Sequence, residues 1–226
     1  MEGLPPIYFL MTRGPAIAGI LTVTAFAGRA GLRAFLSRLL LWRAAPVWWV
    51  LVLLAVPAIF GAGSLLKGGP APAPMENGAG EVMLIALVML CLGTVEELGW
   101  RGVAEPLLQR LMAPVWAGTL IGAVWGVWHL PAFCPSGTVD TEWNVPLFLV
   151  GTIPIGTLVT PMFDAAKGGL RLPMLLHWQL ILPLWPDAQP WDTGLLVALT
   201  AAVLWRTRER TFRRDGAVTR VLPAPW

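Results

Sequence analysis

The sequence predicts an all-α fold, a polytopic transmembrane helical bundle of about seven spans with a basic amphipathic helix lying on the membrane surface. Three observations carry that prediction. Hydrophobic residues make up 56% of the 226 and charged residues only 13%, with a mean hydropathy of +0.68, far from a soluble domain. The apolar residues fall in runs separated by short loops, and about 20 such residues cross a hydrocarbon core. Fourteen of the sixteen Lys and Arg lie in 28–43, 101–114, 164–172 and 206–226, alternate connections of the chain. The opposite side keeps Arg13 and Lys67, together with Glu2, Glu76, Glu81, Asp140, Glu142, Asp187 and Asp192. Basic loops face the cytoplasm, which sets the N-terminus outside and the C-terminus inside.

Taken in order, residues 1–13 hold Pro5, Pro6 and Arg13 and lack the charged start and cleavage site of a signal peptide. Span one covers about 14–27. Residues 29–43 set Arg29, Arg33, Arg38 and Arg43 among Leu and Phe, the pattern of a helix lying in the interface; a plain basic connector is the alternative. Span two covers 46–66 and ends before the Pro/Gly-rich loop Lys67 to Gly80. Span three starts near Glu81. A fourth apolar stretch, 115–132, ends in Trp128-His129-Leu130-Pro131, and a polar loop from Cys134 to Asn144 follows. Span five is 145–163, span six 173–186 and span seven 194–205, before a basic cytoplasmic tail, 206–226. The whole is one domain, 1–226, whose motif-bearing core is about 81–186. Thirteen Trp fit interfacial anchoring as well as packing. Cys91 and Cys134 have neither the placement for a disulfide nor metal-site spacing. The net charge of +3 follows the loops, so it is no sign of nucleic-acid binding.

The chemistry centres on Val95-Glu96-Glu97-Leu98-Gly99-Trp100-Arg101-Gly102. Ionisable groups at membrane depth are expensive and mark functional sites by default. Glu97 and Arg101 are four apart, so on a helix they share a face as an ion pair with a structural role. Glu96 points about 100° away, lacks that partner and has Trp100 as its i+4 neighbour, which leaves it as the general base. The two histidines of the chain, His129 and His177, both lie in apolar stretches. If 81–112 is one helix followed by a tight turn at Ala113-Pro114, Glu96 and His129 lie level across an antiparallel hairpin. Trp125 stands four residues before His129, so its ring packs against the imidazole. His177 has to arrive from a third helix. The plainer readings are a buried structural acid at Glu96 and packing histidines at 129 and 177.

These stations resemble the CPBP intramembrane proteases, which include the CAAX prenyl proteases of the Rce1 type. The match rests on Glu96-Glu97-x-x-x-Arg101, the aromatic-x-x-x-His of Trp125 to His129, and His177. It extends upstream through Gly14-Pro15-Ala16-Ile17-Ala18, Leu41-Trp42-Arg43 and Trp48-Trp49. The resemblance implies peptide-bond hydrolysis inside the membrane of a bacterial cell, on a membrane-associated peptide or protein. Glu96 and His129 would activate water, His177 would stabilise the oxyanion, and Trp100 and Trp125 would line the site. No cofactor is required on the favoured reading. Zinc held by Glu96, His129 and His177 is the alternative, weakened by ligands that come from three separate segments.

Three departures bear on activity. Trp125 stands where the family usually has Phe. Ile181 occupies the position of an Asn four residues after the second His, and Gln179, about 200° around from His177, cannot replace it. The loss of one oxyanion donor costs about 10²–10³ in rate, unless Trp178 or backbone supplies it. The family also usually carries a further N-terminal span. Two other functions compete with an endopeptidase. A catalytically weak or inactive member would bind membrane peptides as an immunity or regulatory protein, and a proton-coupled transporter would use Glu96 and the histidines as a relay. The transporter lacks the expected inverted repeats.

Overall fold

The computed structural model describes residues 12–69, 78–134, 144–182 and 184–222. The readings placed on residues 1–11, on the centre of the loop after Lys67 and on most of the Cys134–Asn144 loop lie outside them. Seven helices occur among the described residues: α1 (Gly14–Ser37), α2 (Pro46–Leu66), the broken helix α3 that begins as Ala79–Leu92, α4 (Pro114–Trp128), α5 (Val145–Ala165), α6 (Arg171–Ile181) and α7 (Trp191–Thr211). Four stretches are long and apolar enough to cross a membrane: Gly14–Leu40, Pro46–Leu66, Gly80–Gln109 and Val145–Ala165. At about 1.5 Å per residue, α4 and α6 cover roughly 22 and 16 Å, less than a full hydrocarbon core.

Local chemistry sets most boundaries. Pro46 and Pro114 stand at the first positions of α2 and α4, where a missing N–H is harmless and φ is already helical. Asn144 caps α5 by accepting the Leu147 N–H at 3.0 Å. Gly28, at φ 62° and ψ −164°, kinks α1. The kink divides the apolar span from its basic continuation at the place the sequence suggested. Helix α7 runs on through Arg206, Arg208 and Arg210, residues read as tail; cations in a last helical turn complement its dipole.

Helix α5 is the most enclosed of the four long apolar helices. It packs along α4, where any side chain on Gly156 would run into the Gly122 backbone. Helices approach this closely in lipid only through small residues. One core gathers Val23, Phe35, Leu98, Phe163 and Leu170, and a second gathers Val52, Val56, Leu158, Met162 and Leu176. Helix α1 and the carboxylate segment meet backbone to backbone, since a Cβ on Gly99 would strike the Pro15 carbonyl.

Helix α3 does not continue as one regular helix. After Leu92 it passes through a 3₁₀ turn (Thr94–Glu96), one short α turn (Glu97–Gly99), a π turn (Trp100–Ala104) and a last α turn (Glu105–Gln109). In the π turn the Glu105 N–H bonds to the Trp100 carbonyl, so the Arg101 carbonyl loses its usual i+4 partner. Its next partner would be residue 106, a proline without an N–H, and the Gly102 carbonyl loses its own i+4 donor for the same reason. Buried carbonyls must be paired, and Arg38 pairs both. Its Nη2 donates to Arg101 O at 3.1 Å and its Nη1 to Gly102 O at 2.6 Å, while Nε reaches Gly168 O at 2.8 Å.

The interfacial-helix reading is therefore corrected at one residue. Arg29 and Arg33 are exposed, but Arg38 is 3% exposed and belongs to the core. Arg38→Leu should destabilise the protein by about 2–4 kcal/mol, because it strands buried carbonyls. Arg33→Leu should stay within about 0.5 kcal/mol. Reversible unfolding in mixed micelles measures both.

Candidate active site

The irregular stretch of α3 presents Glu96 and Glu97 to different neighbours. Glu96 is 5% exposed. Its Oε2 accepts two indole N–H groups, from Trp100 at 3.3 Å and from Trp125 at 3.2 Å. Among the described residues no protein donor is assigned to its Oε1. Trp100 is the i+4 neighbour expected, and its contact is polar as well as aromatic. Trp125 comes from α4, across the hairpin.

His129 ends α4, just before Pro131, which cannot continue the helix. Its Nδ1 bonds to the Trp125 carbonyl at 2.8 Å, and the Trp125 ring meets the imidazole edge-on with centroids 4.8 Å apart. Phe148 of α5 closes the other side at 5.7 Å. The i, i+4 pairing of Trp125 and His129 is thus present. The expected direct meeting of Glu96 and His129 is not: Trp125, one turn earlier, makes the contact to Glu96. The hairpin arithmetic assumed a constant rise and rotation, and the 3₁₀ and π turns at 94–104 change both.

His177 arrives on α6 and is buried. Its Nδ1 bonds to Glu97 Oε1 at 2.8 Å, so its carboxylate partner is Glu97 and not Glu96. Its ring also packs edge-on to Trp125, centroids 5.4 Å apart. Trp125 therefore touches Glu96, His129 and His177 at once. On each histidine Nδ1 is engaged by the protein and Nε2 is left to meet a ligand or water. A donor to the carbonyl at His129 and to the carboxylate at His177 fixes both rings in place.

Glu97 also carries the expected pair with Arg101, Nη1 to Oε2 at 3.3 Å. The ladder runs further than the sequence reading took it. Arg101 Nε lies 3.4 Å from Glu105 Oε2. Gln109 Nε2 donates to Glu105 Oε1 at 3.3 Å and to Asp164 Oδ1 of α5 at 2.9 Å. Arg101 is 2% exposed and Glu105 is fully buried. Extending the i, i+4 rule by two more turns from Glu97 would have found Glu105 and Gln109.

The region around the missing Asn is filled. Any side chain on Gly93 of α3 would collide with the Ile181 Cδ1. Gln179 donates to the Val52 carbonyl on α2, away from the site as its helical angle required. Trp178 donates its N–H to Ala86 O at 2.8 Å and so is committed elsewhere. Among the described residues no three His, Cys, Asp or Glu side chains form a group that could hold an ion, and Glu96 Oε2 is occupied by indoles.

The fold is a helical membrane bundle, with a buried glutamate and two oriented histidines around one tryptophan. Residues 78–180, the segment that builds the site, match the model of the type II CAAX prenyl endopeptidase Rce1-like family. Over that segment, a little under half of the chain, the sequence is similar to the Rce1-like family. It is also similar to a protein of Methanococcus maripaludis named CAAX prenyl protease 2, 27% identical over 143 residues. The alignment takes in 58% of this chain and 53% of that relative, so the chain spans about half the length of the curated protein it matches.

The buried ladder gives a test independent of activity. Arg101→Met leaves Glu97 and Glu105 buried without their cation and should cost about 3–5 kcal/mol. Adding Glu105→Gln to that variant should recover part of the loss, with a coupling of about 0.5–3 kcal/mol in a double-mutant cycle of unfolding in mixed micelles.

Proposed function

We propose that this chain is an intramembrane endopeptidase that hydrolyses a peptide bond of a membrane-associated substrate. The observation that carries the reading is the state of Glu96, buried, oriented through one oxygen by two indoles, and set in the same aromatic nest as both histidines. A carboxylate fixed through Oε2 can take a proton at Oε1. Water held between Glu96 and His129 gives that proton to Glu96 as its oxygen adds to the scissile carbonyl carbon. The proton then passes to the leaving nitrogen as the C–N bond breaks, and a carboxyl and an amine end result.

His177 serves the oxyanion. A proton at its Nε2 makes it a donor to the developing charge, and the Glu97 carboxylate at Nδ1 balances the charge that proton brings. Trp178 is committed to Ala86, so in this reading a second oxyanion donor comes from backbone. No step passes through a metal or other cofactor. The substrate class follows the family and the relative named for CAAX proteins, a membrane-tethered peptide end, with the basic loops and the C-terminal end of the chain in the cytoplasm of a cell-membrane protein.

A second reading keeps the fold and drops the chemistry. Ile181 packs on Gly93 where the resemblance has Asn, which favours a weak or inactive member that binds membrane peptides in an immunity or regulatory role. The full chain in liposomes with a membrane-anchored reporter peptide decides. Glu96→Gln and His129→Ala should each lower cleavage about 10²–10⁴-fold, and a chelator should leave the parent rate unchanged. Cleavage by both variants at the parental rate sinks the protease; peptide retention without cleavage by the parent establishes the binding reading. Chelator-sensitive cleavage would return the metal version.

A further inference from the structure

The last described residues line an open cavity that the proposed hydrolytic site does not use. After α7 the chain turns back under the bundle. Gln109 Oε1 accepts the Val218 N–H at 2.7 Å, and Arg110 Nη2 donates to Thr219 O at 3.1 Å. Arg214 in turn donates to the Arg110 carbonyl, and Val221 lies against Gly168 so closely that no side chain could fit there. These contacts border an open cavity of about 830 Å³ between the end of α3, the α5–α6 turn and the returning chain.

Its lining is strongly cationic. Arg110, Lys167, Arg214 and Arg220 face it, against the single acid Asp215. Asp215 is already paired with Arg213 at 3.0 Å. Among the described residues no carboxylate lies within ion-pair distance of the four cations. Lys167 has φ 52°, followed by Gly168 at φ 81°. A left-handed backbone is unusual for a residue other than Gly, Asn or Asp, and here it presents a lysine to the cavity mouth. Arg110 and Arg214 each spend one N–H on backbone and keep others for a ligand.

We infer that this cavity binds a phosphate-bearing anion, supplied in the membrane by the headgroup of an acidic phospholipid. Four cations without a carboxylate partner, two of them anchored on backbone, suit an oxyanion better than any neutral ligand. The cavity lies at the ends of α3 and α7, the side on which the basic loops gather, where headgroups stand and where basic pockets between helices take acidic lipids. It is separated from Glu97 by the three i, i+4 steps that end at Gln109, about 18 Å along a helix, so it is no part of the hydrolytic centre.

The test is equilibrium binding of phosphatidylglycerol to the delipidated full chain in neutral detergent, read by native mass spectrometry beside phosphatidylcholine. The parent should retain phosphatidylglycerol preferentially. Lys167→Gln/Arg220→Gln should weaken it about tenfold. Arg29→Gln/Arg33→Gln removes the same charge from an exposed face elsewhere and should change it less than twofold. Inorganic phosphate is titrated in a separate arm. Competition by phosphate at concentrations comparable to the lipid upholds the site and assigns it to the free anion; no competition assigns it to the headgroup. The inference is overturned if Lys167→Gln/Arg220→Gln holds phosphatidylglycerol as tightly as the parent, or if Arg29→Gln/Arg33→Gln loses as much.

Discussion

Arg101 is a guanidinium with 2% of its surface exposed, and the architecture around the site follows from keeping it there. Removing such an ion from water costs several kcal/mol even after relaxation, and its neighbours must compensate. Glu97 and Glu105 stand one turn before and one turn after it, and Gln109 extends the row to Asp164. The π turn between the two glutamates leaves carbonyls without donors, and Pro106 removes the donor that might have served. Arg38 fills that vacancy from outside the helix. Two buried arginines thus do opposite jobs. One is neutralised by side chains, and the other neutralises backbone dipoles. The N-terminal helix is tied to the site through the second.

Trp125 does for Glu96, His129 and His177 what Arg101 does for the frame. Its N–H fixes Glu96, its carbonyl fixes His129, and its ring face and edge pack against both imidazoles. The three polar groups are brought near one another without being bonded to one another. Among the described residues that arrangement leaves both Nε2 atoms and Glu96 Oε1 to meet water or a ligand, and it surrounds them with apolar surface that strengthens whatever interaction forms there. A larger indole in place of the Phe usual in the family adds an N–H donor to the carboxylate, which a phenyl ring could not provide. The substitution is a change of chemistry and not merely of size.

Much of this was legible in the sequence, and the failures share one cause. Helix α2, read as about 46–66, runs from Pro46 to Leu66, because a proline start and a Lys-Gly-Gly end are local signals. The Glu97–Arg101 pair was legible for the same reason, being set by i, i+4 geometry alone. Arg38 was misread because its sequence neighbours, three other arginines on a helical face, describe a surface; the carbonyls that bury it lie 63 and 64 residues away. Glu96 and His177 have partners other than the expected ones, Trp125 and Glu97, for a subtler reason. A hairpin register is a long-range statement built from a local rise per residue, and any 3₁₀ or π turn within it shifts the register by part of a turn. Those turns occur where Gly99, Gly102 and Pro106 interrupt the helix.

The carboxylate doublet is therefore divided differently from the way spacing alone divides it. Glu97 is not only a partner for Arg101. It also holds His177 at 2.8 Å, through the Oε1 that accepts from Arg101 Nη1, so it joins the frame to the site, and no substitution there can separate folding from the geometry of the site. Replacing it would release a buried guanidinium and an imidazole together. Among the described residues Glu96 is bound only by two indoles, whose N–H groups can bond an amide oxygen as they bond a carboxylate. Glutamine at 96 keeps the shape and both hydrogen bonds and removes only the basicity. Of the two adjacent acids, the one that looks less anchored is the one whose loss speaks to function alone.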